Sequence, residues 1–305
     1  MIYNPAAGRG KARRLLEGVR RAFPGETVLW PTAKPGDAIR LASEAARSGF
    51  ARIAAAGGDG TAHEVARGIL ASENADVLFS TIPVGSMNDY AYSLGMLTWW
   101  QRGMTEPLSS IRADVGFVRA PGRERFFVNG CGIGFTGMVT VESTKIQLLR
   151  GLPLYGVAML RALARHFAKP IMTIRQDGLE MTGPTLTLSV NLGQREGGFP
   201  LTKAARLDDG LFETMHAANV KPWELLRYLP SMISGQLPQN HPELRLGRCN
   251  QVHVRCGQNL CIHTDGELFA VPADTIRELD IEIIPRRLCV EICPAYQYGR
   301  ISGRE

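Results

Sequence analysis

The first third of the chain alternates between short apolar runs and longer amphipathic stretches. Runs such as "TVLWPT", "ARIAAAGG" and "DVLFSTIPVG" predict buried strands, whereas "KARRLLEGVRRAF", "KPGDAIRLASEAARSG" and "TAHEVARGILAS" predict helices. Strands and helices that alternate at this spacing are typical of βαβ units on a parallel sheet, which binds ligands at the carboxyl ends of its strands. The opening "IYNP" reads as the end of a buried strand, so we expect the natural chain to begin before Met1.

From about residue 111 the pattern changes to short segments in which apolar and polar residues alternate. Examples are "IRADVGFVRA", "TLTLSVNLG", "QVHVRCG" and "ELDIEIIP", with turns between them. A period of two over many short segments predicts an antiparallel sandwich or barrel. Helices are expected around 143–167 and 221–234. We therefore predict two unlike domains that meet near residue 117, and the final "RRLCVEICP" fits either of them.

Composition supports a folded protein with a modest basic bias. The 305 residues include 35 Lys and Arg against 29 Asp and Glu, and no highly charged or glycine- and serine-rich linker separates the halves. The bias favours anionic partners without choosing among nucleotides, nucleic acid and an acidic membrane surface. The six cysteines lack paired metal-binding spacing and lie in apolar segments, so reduced, packed thiols are expected. No signal peptide or membrane span is predicted, which favours a cytoplasmic location.

Three glycine-containing loops follow predicted strands, and each precedes a predicted helix. They cover residues 4–10, 57–61 and 83–89. Glycines let backbone amides approach a ligand, and a helix N-terminus adds N–H donors and partial positive charge. Thr61 with Glu64 has capping-box spacing, and Ser86 with Asp89 has a similar S-x-x-D spacing. Three such loops at one sheet edge predict a polyphosphate site.

The middle loop contains an aspartate, which is unusual for a phosphate cradle. The sequence has no G-x-x-x-x-G-K-[ST] loop, and "GGDGT" is not the G-x-G-x-x-G dinucleotide fingerprint. A carboxylate would repel a bare triphosphate unless a divalent cation lay between them. Asp59 therefore predicts a metal-dependent phosphate site.

These motifs together resemble the diacylglycerol kinase catalytic-domain family, which includes bacterial lipid kinases and sphingosine kinases. The resemblance rests on "NPAAGRG", "GGDGTAHEVARGI", "PVGSMNDYAYSLG", "ADVG", "NGCGIGF", "ARLDDGLFE" and "HTDGELF", in the order of the family and over nearly the whole chain. It implies an N-terminal α/β domain like that of NAD kinases and phosphofructokinases, over 1–117, to which 287–305 return. It also implies a C-terminal antiparallel β-sandwich lipid-substrate domain over 118–286, with ATP and Mg²⁺ in the cleft between the domains.

The resemblance also implies roles for individual residues. The residues expected to line the phosphates are Asn4, Gly8, Gly57, Gly58, Gly60, Thr61, Gly85 and Ser86. Those matching the acidic positions that hold magnesium are Asp59, Asp89 and Asp114, with Asp209 matching a structural magnesium site. Asp265 matches the general base, and Glu267 lies beside it. Ser86 replaces the threonine that is usual in its loop and keeps the hydroxyl.

The residues of "HTDGELF" support a catalytic role on their own chemistry. Phosphorylation of an alcohol needs a group that accepts the hydroxyl proton, and Asp265 and Glu267 would point to the same side of a continuing strand. An Asp-Gly dipeptide is, however, also typical of an exposed hairpin turn. His63 and His263 flank the motifs without an evident partner set, so both are interpreted as structural or surface residues.

The sequence therefore predicts an ATP-dependent lipid kinase that phosphorylates a diacylglycerol-like hydroxyl. The basic and apolar segment 146–163 is compatible with transient membrane contact or with packing on the sandwich. The expected partners are ATP and a lipid at a membrane surface, nucleic acid is not expected, and a homodimer stays open. The alternatives are an NAD kinase-like enzyme, although no asparagine here precedes a glutamate, and a catalytically silent lipid- or nucleotide-binding regulator.

Overall fold

The computed structural model of the protein describes residues 1–7, 27–74, 76–238 and 241–297. Gly8 and the helix predicted over "KARRLLEGVRRAF" lie outside the described residues. The chain divides into two compact units, Met1–Asp114 with Pro285–Glu305 and Val115–Ile284. Each unit is described by itself below.

The first unit is an α/β fold with a parallel sheet, as predicted. Its strands are β1 (Ile2–Tyr3), β2 (Trp30–Pro31), β3 (Arg52–Gly57), β4 (Leu78–Pro83) and the last part of β16 (Glu278–Ile292). They lie in the order β2-β1-β3-β4-β16, and neighbours run parallel. Its described helices are α1 (Asp37–Arg47), α2 (Asp59–Ala71), α3 (Asp89–Ser93) and α4 (Met96–Gln101).

Small residues let the helices of this unit approach the sheet and each other. In β3, all residues except Arg52 are buried, and the run of alanines leaves room on both faces. Gly68 of α2 faces α1 so closely that a Cβ there would lie 2.7 Å from the Ala42 Cβ and closer still to Ile39 O. The carboxylate of Glu291, on β16, accepts a hydrogen bond from Ser80 on β4 (2.6 Å), which ties the C-terminal strand to the sheet.

The second unit contains two groups of antiparallel strands, and the predicted β-sandwich fold is confirmed. Its strands are the last part of β5 (Ser109–Ala120), β6 (Arg123–Phe127), β7 (Gly130–Gly134), β8 (Ile171–Gln176), β9 (Leu179–Pro184), β10 (Thr187–Asn191), β11 (Phe212–Ala217), β12 (Leu244–Cys249), β13 (Gln251–Cys256), β14 (Ile262–Thr264), β15 (Glu267–Ala270) and the first part of β16. One sheet has the order β12-β11-β10-β7-β14-β15. In the other group β13 pairs with β8 and with residues 278–282 of β16, β8 pairs with β9, and β5 pairs with β6.

Aromatic and aliphatic side chains fill the core of this unit. The rings of Phe127 and Phe212 stack with centroids 5.9 Å apart, and Gly116 lies directly against the Phe127 ring, where no Cβ would fit. The described helices are α5 (Phe135–Thr144), α6 (Gly151–His166) and α7 (Pro222–Ser234), with a 3₁₀ turn at Pro272–Asp274. All six cysteines are free thiols, as predicted.

One helix prediction needs correction. The helix predicted around 143–167 corresponds to α6, which begins at Gly151, and the helix α5 before it was not predicted. The segment of α5, "FTGMVTVEST", is rich in β-branched residues, which favour strands in isolation. Its helical conformation is stabilised by packing of Phe135, Met138 and Val139 into an apolar cluster with α6.

Candidate functional site

Three loops lie at the carboxyl edge of the parallel sheet in the first unit. They follow β1, β3 and β4, which are neighbours and run in the same direction. Asn4 N donates to Ala56 O (3.1 Å) and so ties the first loop to the end of β3. Every described residue of the predicted phosphate site lies on these loops or in the first turn of the helix that follows: Asn4, Gly57, Gly58, Gly60, Thr61, Gly85 and Ser86.

Two glycines bring the loops after β3 and β4 into direct contact. Gly85 N donates to Gly57 O (3.1 Å). A Cβ on Gly85 would lie 3.0 Å from Gly58 N and closer still to Gly58 Cα, so a side chain at position 85 would push the loops apart. Glycine at position 85 is therefore required by the packing of the two loop backbones.

The carboxylate of Asp59 joins the same two loops. Its Oδ2 accepts a hydrogen bond from Asn88 N (2.8 Å) and its Oδ1 accepts one from Asp89 N (2.6 Å). Asp59 thus satisfies amides at the start of α3, which begins at Asp89. The N-cap residue of α3 is Asn88, so the S-x-x-D cap predicted from Ser86 is wrong. Asp89 is buried, and Ser86 is exposed.

The predicted capping box at the start of α2 is also wrong. The helix has Gly58 as its N-cap residue, and Thr61 lies inside the first turn. The Glu64 carboxylate instead accepts hydrogen bonds from Gly36 N (2.8 Å) and Ala38 N (3.2 Å), at the start of α1. The T-x-x-E spacing is present, but the Glu64 carboxylate binds the start of the neighbouring helix instead. The first amides of that helix have no partner within the helix, and Glu64 satisfies two amides there.

The acidic residues of this unit suit a hard cation. Among the described residues, no three His, Cys, Asp or Glu side chains converge as a ready metal cage. Magnesium, however, is usually held by one or two carboxylates together with phosphate oxygens and water. Asp59 and Asp89 meet through a hydrogen bond from Asp89 N to Asp59 Oδ1, and their role in metal binding stays a prediction. Asp114, which is buried, accepts a hydrogen bond from Arg286 N (2.8 Å).

In the second unit, Asp265 forms a hairpin turn with Gly266 between β14 and β15. Both residues have positive φ, 51° and 83°, so the exposed-turn interpretation was correct about the backbone. The side chain, however, is buried. Its Oδ1 accepts hydrogen bonds from Asn129 N (2.8 Å) and Gly130 N (2.9 Å), and its Oδ2 accepts one from Val128 N (2.9 Å). An ordinary solvent-exposed turn aspartate has no such set of donors.

Glu267 lies in a different environment from Asp265. The chain reverses at the turn, so the strand does not continue through both residues, and Glu267 is exposed. Beside the turn lies Tyr155 of α6, whose Oη would be 3.9 Å from a Cβ on Gly266. The turn therefore offers one buried, fixed carboxylate and one exposed carboxylate.

Asp209, the predicted structural magnesium ligand, pairs with an arginine. Its Oδ1 accepts a hydrogen bond from Leu211 N (3.2 Å), and its Oδ2 contacts the guanidinium of Arg248. The same guanidinium bridges to Glu213 Oε1 (2.8 Å). A cationic side chain thus lies between the two carboxylates, and the role of Asp209 in metal binding stays a prediction.

The sequence interpretation missed a buried hydrogen-bond partner of His263. His263 Nε2 lies 3.0 Å from Glu196 Oε1, and both residues are buried. The signal that could have found Glu196 is weak, because the residue lies in the loop "GQREGGFP" and far from His263 in the sequence. His63 is buried within α2, in agreement with a structural role.

Comparisons with known proteins show the family to which the chain belongs. The model of the diacylglycerol kinase catalytic domain matches residues 1–115, and that of the YegS C-terminal NAD kinase beta sandwich-like domain matches residues 130–292. A diacylglycerol kinase of Bacillus subtilis (strain 168) is 30% identical over 284 residues, which are 88% of this chain and 88% of that protein. The chain belongs to the diacylglycerol kinase family.

Other members of the diacylglycerol kinase family agree with this assignment. A diacylglycerol kinase of Staphylococcus carnosus (strain TM300) is 27% identical over 276 residues, 88% of this chain and 87% of that protein. The crystal structure of a diacylglycerol kinase from Bacillus anthracis str. Sterne has the same fold, with a TM-score of 0.70 at 21% identity, and the match covers 97% of this chain and 96% of that chain. The resemblance inferred from the motifs is confirmed.

Proposed function

We propose that this chain is an ATP-dependent lipid kinase that transfers the γ-phosphoryl group of ATP to a diacylglycerol-like hydroxyl. The proposal rests on one observation above the others. Asp265, in the family's expected base position, is a buried carboxylate that three backbone amides hold in place. Such fixed positioning is what a proton acceptor needs, because general-base catalysis depends on hydrogen-bond reach to the hydroxyl.

In the proposed reaction Asp265 accepts the proton of the lipid hydroxyl. The hydroxyl oxygen forms a bond to the γ-phosphorus, and the bond from that phosphorus to the β–γ bridging oxygen breaks, so that ADP leaves with the electron pair. Backbone amides of the loop at 57–61, with those of Ser86 and Met87, would bind the phosphates. The amides of Gly85, Asn88 and Asp89 instead hold the two loops together. Asp59 and Asp89 would hold a magnesium ion, which would neutralise phosphate charge.

The second unit also carries a surface that suits a bilayer. The outward face of α6 is apolar, and Leu152, Val157 and Leu160 are 44%, 37% and 49% exposed. On α7, which has no buried residue, Trp223 and Leu226 are 53% and 44% exposed. Both helices pack with their opposite faces on the same apolar cluster. Each helix therefore presents an apolar face to solvent.

Positive charge flanks the apolar face of α6. The buried carboxylate of Glu142 is bridged by Lys145 Nζ (2.7 Å), Arg161 Nε (2.9 Å) and Arg165 Nη1 (3.3 Å). Hydrogen bonding from Lys145, the leading cause, lowers the pKa of Glu142 to about 2 despite burial, so its single charge leaves a local positive excess. Apolar side chains beside cations favour an anionic lipid surface. None of the described helices is long and apolar enough to cross a membrane.

The deciding experiment is a kinase assay with radiolabelled ATP, Mg²⁺ and a panel of lipid alcohols in vesicles. Products are identified by mass spectrometry, and NAD is included as a competing acceptor. We expect label in a phospholipid product. Label in NAD would reject the lipid kinase, and absence of transfer to every acceptor would favour the silent regulator.

Two variants test the base. Asp265→Asn is expected to lower kcat by about 10²–10⁴-fold while ATP binding is largely retained. Since the asparagine amide would face a backbone N–H, its thermal stability must be measured as well. Glu267→Gln, at an exposed position, is expected to leave stability unchanged and to lower kcat less. An active Asp265→Asn variant would remove Asp265 from the base role.

Membrane contact is tested by sedimentation with vesicles rich in phosphatidylglycerol. Leu160→Asp is expected to reduce binding severalfold because it places a charge on the apolar face of α6. Leu179→Asp is the matched control, since Leu179 is 77% exposed on β9 of the same unit. Equal binding by both variants and the parent protein would contradict the proposed surface.

A further inference from the structure

Strand β7, "GCGIG", has glycine at every second position, and the middle glycine makes room for polar side chains. A Cβ on Gly132 would lie 2.8 Å from Glu196 Oε1, and it would be closer still to His263 Nε2 and Thr136 Oγ1. The other face of the strand carries the buried apolar residues Cys131 and Ile133. A valine or threonine at position 132 would suit a strand better, so the glycine accommodates the Glu196–His263 pair.

The Glu196–His263 pair is a hydrogen-bonded contact between a carboxylate and an imidazole that is held out of water. Both side chains are more than nine-tenths buried. A carboxylate can only accept, so His263 Nε2 carries the donated hydrogen. Burial by itself raises the pKa of Glu196, but the hydrogen bond and electrostatic attraction of His263, together with hydrogen bonds from Ser189 and Asn191, outweigh it and bring that pKa below its usual range. Removing His263 would leave the buried Glu196 carboxylate with weaker contacts such as the one from Asn191 Nδ2 (3.5 Å), which is costly.

The same stretch of chain holds Asp265. Gly130 N donates to Asp265 Oδ1 (2.9 Å), and Asp265 N donates to Gly130 O (2.7 Å). Two residues further along β7, Gly132 is the register partner of His263 on β14. Asp265 directly follows β14. The Glu196–His263 pair and the Asp265 carboxylate are therefore both fixed to strand β7. His263 and Asp265 are two residues apart, and so are their partners on β7, Gly132 and Gly130.

Glu196 connects strand β14, through His263, to a second hairpin near the Asp265 turn. It closes a small hairpin with Phe199: Glu196 N donates to Phe199 O (2.9 Å), and Phe199 N donates to Glu196 O (3.1 Å). Within the hairpin, Gly197 lies against the ring of Tyr155, at 3.4 Å from a Cβ built there. Tyr155 in turn places its hydroxyl beside Gly266. The hairpin, the tyrosine and the Asp265 turn thus form one connected set of contacts.

We propose that Glu196 and His263 are positioning residues: their buried pair locks the Glu196–Phe199 hairpin and strand β14 together, and so holds the Asp265 turn in place for phosphorylation of the acceptor. The kinetic part of this proposal rests on the proposed lipid kinase function. The structural part, that the pair holds Asp265 to its backbone donors, is independent of that function.

The kinetic test compares Glu196→Gln and His263→Gln with His216→Gln. His216 is a matched control because it is a buried histidine of the same sheet, on β11, whose Nε2 lies 3.0 Å from Thr185 Oγ1. We expect both pair variants to lower kcat for the lipid by about 10²-fold, the effect of a displacement near 1 Å, with KM for ATP within about twofold of the parent value. The control should lose stability but keep kcat. A kcat unchanged in both pair variants, or equally reduced in His216→Gln, would overturn the kinetic proposal.

The structural test measures hydrogen exchange at amides 128–130, which donate to Asp265. Glu196→Gln and His263→Gln should accelerate exchange there by about tenfold or more, and His216→Gln should not. Using two pair variants guards against one that fails to fold. If the parent protein phosphorylates no lipid but the exchange effect appears, the positioning role holds and the proposed function fails. Unchanged exchange in both pair variants would overturn the positioning role itself.

Discussion

Replacing Gly85 by alanine should separate the two loops that form the proposed phosphate cradle. The new Cβ would lie 2.8 Å from Asn88 Oδ1 and 3.0 Å from Gly58 N, with Gly58 Cα closer still. Carbon atoms pack at about 3.5–4.0 Å, so the backbones must part by roughly an ångström. Over-packing of this kind costs about 1–3 kcal/mol, which corresponds to a fall in Tm of roughly 5 °C. A shift near 1 Å in a binding loop should also raise KM for ATP by about tenfold or more.

The other side of the same contact provides the control. A Cβ on Gly58 would lie 3.3 Å from Gly85 Cα, and the backbone at Gly58, with φ −93° and ψ −168°, accepts an alanine. The slight crowding is offset by the lower entropy of the unfolded chain, so Gly58→Ala should change stability by less than about 1 kcal/mol. Thermal unfolding and initial rates at varied ATP are the measurements. Equal Tm and KM values for the two variants would refute the packing argument.

Three further predictions follow from other contacts. Burial lowers the pKa of His216 to about 4 from 6.5, so its contribution to stability is present above pH 6.5 and is lost as the pH falls towards 4. Urea titrations should show that the parent protein loses roughly 3 kcal/mol of unfolding free energy over this range and that His216→Gln does not; the same pH dependence of unfolding free energy in both proteins would contradict this. Asp59→Asn, which cannot accept both loop amides, should raise the Mg²⁺ concentration for half-maximal activity by about tenfold, and an unchanged Mg²⁺ response would argue against its metal role. Gly68→Ala should lower stability by about 1–3 kcal/mol because its Cβ would clash with α1. Gly156→Ala, in α6 with no neighbour within 4 Å, should raise stability by up to about 1 kcal/mol, and equal shifts in Tm for the two variants would refute the clash.

Much of the fold could be predicted because periodicity reports local burial. The apolar runs that became β3 and β4 are buried on both faces, and the alternating segments that became β10 and β13 lie in antiparallel sheets. The pattern misled where tertiary packing overrides intrinsic preference. The β-branched segment 135–144 is helical because one face of it packs on α6.

The sequence by itself determined the family, the order of the loops and the residue types of the proposed site, since these depend on short motifs. Only the tertiary structure decided which groups those residues contact. Spacing assigned Glu64 to Thr61, but Glu64 satisfies the first amides of the neighbouring helix. Asp265 is a turn residue by its dipeptide, and burial against three amides from residues 128–130 makes it a fixed carboxylate. Glu196 and His263 meet because β7 carries glycine at position 132, a packing condition between distant segments that no local pattern encodes.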